Sequence, residues 1–110
     1  MYLLKENKTH METIGSTLRK LREEKGLLLR QVAAATELDS TMLSKIECED
    51  RLPTKQQLEK LSKFYKADIN EMTAAWLADR IVRDLMEEKM ALRAMKMAEQ
   101  KINSLKKSKI

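Results

Sequence analysis

Residues 32–53, VAAATELDSTMLSKIECEDRLP, decide how this chain folds. They read as two short helices joined by a tight turn. Asp39-Ser40-Thr41 opens the second helix and Lys45-Ile46-Glu47 closes it. Asp39 has the short acceptor side chain that suits an N-cap. Met42, Leu43 and Ile46 are the apolar positions, and the helical repeat turns Leu43 and Ile46 inward. Ser40, Thr41, Ser44 and Lys45 then face outward. A short helix with small polar and basic groups on one face, propped on an apolar partner, is suited to reading the DNA major groove.

The flanking sequence supplies the prop. Ile14, Leu18, Leu21 and Arg22 share one face of an expected first helix, from Thr13 or Ile14 to Lys25, and Gly26 stands at its stop. A second helix is expected over residues 29–36, with Val32 and Ala33 inward. After the breaker Leu52-Pro53, Thr54 and Gln57 form a capping-box pattern. It opens a fourth helix that buries Leu58, Leu61, Phe64 and Tyr65. Asp68 or Asn70 is expected to cap the next helix.

From residue 70 to about 106 neither Gly nor Pro interrupts the chain. Ala78, Ile81 and Leu85 follow one apolar series, and Ala91, Met95, Ala98, Ile102 and Leu105 follow another. The two are out of register, because extending the first puts Glu88 at a core position. This predicts one or two C-terminal helices, with a break near residues 86–89.

The expected organisation is therefore all-α. Residues 1–11 form a flexible N-terminus and 12–69 the reading domain. Residues 70–106 form a helical extension and 107–110 a basic tail. Apolar content of 43% and charged content of 35% suit a helix-rich globular chain of 110 residues. Val, Ile, Thr and aromatic residues never alternate over a strand-length window. No 18-residue apolar run exists, so no membrane span is expected. Cys48, the single cysteine, excludes an intramolecular disulfide and suits a reducing cytoplasm. With one His (His10) and one Cys, neither a metal cluster nor a Cys–His dyad is expected. Enzymatic activity, a cofactor and a small-molecule ligand are not expected. Net charge is +5, but residues 12–69 carry 11 basic and 10 acidic groups, so basicity alone says little about nucleic acid.

Residues 14–69 resemble the lambda-repressor-like (Cro/cI, XRE) helix-turn-helix family. The matching residues are Ile14-Gly15, Leu18 to Arg22, Lys25-Gly26-Leu27, Val32-Ala33, Leu38, Ser40 to Glu47, Arg51 with Pro53, and Leu58 with Leu61. The resemblance implies a five-helix domain whose second and third helices bind DNA. It also implies a homodimer acting on a palindromic operator, and an ion pair between Arg22 and Glu47. Two departures stand out. The family starts the second helix with a Ser or Thr cap and then a Gln that often touches DNA, where this chain has Leu28-Leu29. The family prefers Asn-Gly after the Glu of the third helix, where this chain has Cys48-Glu49.

Base contacts are accordingly expected from Ser40, Thr41, Ser44 and Lys45. Phosphate contacts are expected from Arg51, Thr54 and Lys55, and from Arg19, Lys20 and Arg30. A dimer interface is expected on the extension, carried by Trp76, Ile81, Leu85, Leu92 and Met95. The expected function is a transcriptional regulator, a repressor similar to restriction-modification controllers or phage regulators. The competing expectation is an antitoxin or interaction module whose C-terminal helices bind another protein.

Overall fold

A computed structural model describes residues 12–108. The expectations for the N-terminus, including His10, and for the last two residues lie outside the described residues. Among those described there are six helices and no strand. They are α1 (Ile14–Glu24), α2 (Leu29–Thr36), α3 (Ser40–Glu47), α4 (Lys55–Tyr65), α5 (Ile69–Leu85) and α6 (Ala91–Ser108).

Local chemistry sets most of these boundaries. At α1, the Thr13 hydroxyl accepts from the Ser16 N–H at 3.0 Å, and the Ser16 hydroxyl accepts from the Thr13 N–H at 3.1 Å. Gly26 stops the helix in the left-handed region, φ 66°. At α3, the Asp39 carboxylate accepts from the Met42 N–H at 2.9 Å. At α4, Thr54 and Gln57 close the expected reciprocal box at 3.1 and 2.9 Å. Asp68 takes the start of α5, accepting from the Asn70 N–H at 2.8 Å.

The weak start is α2. Leu28 sits at its N-cap with no side-chain acceptor, and only the Gln31 carboxamide reaches back, accepting from the Leu28 N–H at 2.7 Å. The turn after α3 is strained. Glu49 takes φ 68° so that its N–H can donate to the Ile46 carbonyl (3.0 Å) and the Asp50 N–H to the Lys45 carbonyl (2.8 Å). A non-glycine residue held there costs about 1 kcal/mol.

Ile14, Leu18, Val32, Leu43, Ile46, Leu58, Leu61, Tyr65, Met72 and Trp76 form one buried core drawn from α1 to α5. The first compact unit runs to Arg80, because Met72 and Trp76 of α5 are core residues. Trp76, expected at a dimer interface, is packed within its own unit. The residue is only 8% exposed, its Nε1–H donates to the Pro53 carbonyl at 2.8 Å, and the Arg80 guanidinium lies 5.1 Å from the ring centroid. An indole satisfied inside its own unit has no face to offer a partner.

The second unit, residues 81–110, holds the end of α5, a break over residues 86–90, and α6. The break falls where the two apolar series lose register. Leu85 is half-buried, while Ile81, Val82, Leu92, Met95, Ile102 and Leu105 are exposed.

Gly15 is fixed by close approach. A Cβ there would fall inside contact distance of the Ile46 carbonyl oxygen and within 3.2 Å of Glu49 Cγ. The first of these is backbone and cannot rotate away. Gly15→Ala is therefore expected to lower unfolding stability by about 1–3 kcal/mol, the usual cost of overpacking, read as a lower urea midpoint at unchanged slope.

Candidate nucleic-acid interface

Helix α3 is held from its C-terminal end. Glu47, the last residue of α3, meets Arg22 of α1 through two parallel contacts, Nε to Oε2 at 2.9 Å and Nη2 to Oε1 at 2.9 Å. Arg22 Nη1 also donates to the Leu27 carbonyl at 2.9 Å, which ties in the loop before α2. The two side chains keep only 14% and 9% of their surface exposed. A planar fork on a carboxylate, with a spare donor on a carbonyl, fixes both helices in distance and angle. Burial pushes the nearby Tyr65 hydroxyl up to about 12; Glu47 adds to the rise and Arg22 opposes it.

With its end fixed, α3 turns Leu43 and Ile46 into the core and leaves Thr41 and Lys45 exposed, with Ser40 and Ser44 half-buried. These four line an open concavity of about 590 Å³ together with Leu28, Leu29 and Arg30 from the start of α2. The structure thus brings five of the expected DNA contacts, Arg30 included, onto one surface. Leu28 and Leu29 share that surface, though the sequence marks them only as lost polar contacts. A second strut steadies the helix: the Gln57 carboxamide donates to Met42 Sδ at 2.9 Å, linking α4 to α3.

The expected phosphate contacts differ in their surroundings. Arg51, Thr54 and Lys55 are exposed around the start of α4. The Thr54 oxygen accepts the Gln57 N–H, which leaves its O–H free to donate. Arg19 is engaged along its own helix, Nε to Glu23 Oε2 at 3.1 Å, and Lys20 pairs with Glu12 at 2.7 Å. Asp79 of α5, not singled out from the sequence, accepts from the Ile14 N–H at 2.7 Å and places its negative charge at the positive end of α1. The 65-residue separation leaves no local trace of that contact. Among the described residues no group of His, Cys, Asp and Glu could hold a metal ion, and no helix is long and apolar enough to cross a membrane.

A family model described as a helix-turn-helix domain matches residues 13–76. The chain belongs to the helix-turn-helix family. The match begins at the Thr13 cap and ends at Trp76, so it spans the core-forming helices and agrees with the lambda-repressor-like resemblance. No curated protein and no solved structure matches the chain. A helix-turn-helix unit of this kind is a DNA-binding element.

Two outcomes follow for the strut. Glu47→Ala strands a largely buried guanidinium and is expected to cost about 3 kcal/mol, whereas Arg22→Met with Glu47→Leu together is expected to cost less than either removal alone, measured by a double-mutant cycle in urea. For Tyr65, the folded value near 12 lies above the ordinary 10.0, so its contribution to stability is complete below pH 10 and is lost as pH rises through about 12. The difference in unfolding free energy between wild type and Tyr65→Phe is expected to be flat up to about pH 10 and to change only above it.

Proposed function

We propose that this helix-turn-helix protein is a sequence-specific regulator of transcription that binds double-stranded DNA as a homodimer and represses from a palindromic operator. It would act in the cytoplasm, on its own gene among others. The observation that carries the reading is the shared surface of Ser40, Thr41, Ser44 and Lys45 with the start of α2. Short hydroxyls can donate to or accept from base edges, and a lysine can donate to guanine O6 and N7. Arg51, Thr54 and Lys55, flanking the start of α4, are suited to phosphates on either side of the groove.

The dimer is supported by the second unit, where Ile81, Leu92 and Met95 are exposed, with Leu85 half-buried beside them. Apolar groups on this scale favour burial against another chain, and a two-fold pair would set the half-site spacing. The same surface also supports a different occupant, a second protein such as a toxin. Sedimentation velocity at micromolar concentration separates the two: a dimer mass supports homodimeric pairing, and a monomer mass favours the foreign partner.

Binding is tested by fluorescence anisotropy on the duplex upstream of the protein's own gene, beside a shuffled duplex, at two salt concentrations. A preference of about a thousandfold supports the specific reader; equal and steeply salt-dependent binding overturns it for that target. Lys45→Ala is expected to relax preference at one base pair. Arg51→Ala is expected to weaken all duplexes alike and to reduce the salt slope by about 1.

A further inference from the structure

The concavity beside α3 has an apolar corner that base-edge polar contacts do not explain. Leu28 and Leu29 line it together with Thr41 and Ser44. Leu28 is 48% exposed, so an isobutyl group is kept in water at the one position of α2 where Ser, Thr, Asp or Asn would cap the helix. The chain therefore forgoes a capping bond and exposes apolar surface at the same residue. Both penalties are offset when something apolar covers Leu28.

Arg30 and Lys45 line the same surface and are exposed, which favours a polyanion as the occupant over an apolar protein segment. A duplex presents one kind of apolar projection on its major-groove base edges, the C5-methyl of a pyrimidine. We propose that the Leu28–Leu29 corner is a specificity site that takes a pyrimidine C5-methyl group. The methyl can belong to thymine or to 5-methylcytosine, and the chemistry of contact is the same for both. This rests on the DNA-reading function proposed above and adds to it a residue that selects sequence.

The test starts from duplexes enriched from a random pool by the full-length protein. Each thymine is then replaced by deoxyuridine, and each cytosine by 5-methylcytosine, one position at a time. Binding is measured for wild type and for Leu28→Ser. The serine restores a helix cap, so the variant is expected to unfold at a higher urea midpoint, and lost recognition cannot be ascribed to lost folding. Losing one buried methyl is expected to weaken wild-type binding about fourfold at one position per half-site, with no change for Leu28→Ser. If thymine is the source, the effect falls on a deoxyuridine substitution; if 5-methylcytosine is, wild type gains about fourfold at one cytosine. Equal methyl effects in both proteins, or none in either, overturn the proposal while leaving the DNA reader standing. A pool that shows no enrichment overturns both.

Discussion

The fork of Arg22 on Glu47 is the constraint from which the rest of the reading unit is positioned. An eight-residue helix has little stability of its own, since an isolated segment of that length is far too short to persist in water. Its direction must come from what it touches. Leu43 and Ile46 supply the inward pull, but apolar contact is non-directional and would tolerate rotation about the axis. Two parallel charge-assisted hydrogen bonds at the last residue do not tolerate it. They are strong here because both groups are largely withdrawn from water, and Arg22 Nη1 adds a further bond to the Leu27 carbonyl. The close approach at Gly15 belongs to the same arrangement: α1 comes near enough to the end of α3 for the ion pair to form because no side chain stands between them.

The cost of that arrangement appears in the turn that leaves α3. Glu49 occupies a left-handed conformation where glycine would sit without strain, yet the turn still completes two hydrogen bonds to the carbonyls of Ile46 and Lys45. The loop beyond it is secured from a distance, by the Trp76 indole on the Pro53 carbonyl. The C-terminal end of α3 and the loop beyond it are thus held by two separate elements, α1 through Arg22 and α5 through Trp76, with α4 adding the Gln57 contact to Met42.

What was legible in the sequence follows from how local each cause is. Thr54 with Gln57, Asp39, Gly26 and the 3–4 spacing of Leu58 and Leu61 act within a turn or two, so their reading is direct. The break after Leu85 was legible for the same reason, since two apolar repeats fell out of phase. The pairing of Arg22 with Glu47 came from family resemblance, because 25 residues separate them and nothing nearby links them. The burial of Trp76 has no local signal: on a helix that runs without Gly or Pro from residue 70, only the tertiary contact with Pro53 shows that it faces inward. Leu28 was read as the absence of a polar group. Its place on a wall of the α3 surface depends on where α2 begins in space, which no spacing rule conveys. Ser40, Thr41, Ser44, Lys45 and Arg30 come onto one surface because two helices present them there, whereas Arg19 and Lys20 are held in ion pairs away from it, which residue type alone does not convey.

The contacts of α5 also order events in time. The α1 N-terminus is capped by Asp79 and the loop after α3 by Trp76, so the first and last elements of the unit must meet before either is complete. During synthesis the helix-turn-helix segment leaves the ribosome before the residues that finish its scaffold. Contacts this distant in sequence close late and at a high entropic cost. A nascent chain that ends near residue 69 already contains the whole reading surface and none of the clasp. The Arg22–Glu47 fork can therefore form before α5 exists, while the contacts of Asp79 and Trp76 that complete the scaffold come only with α5.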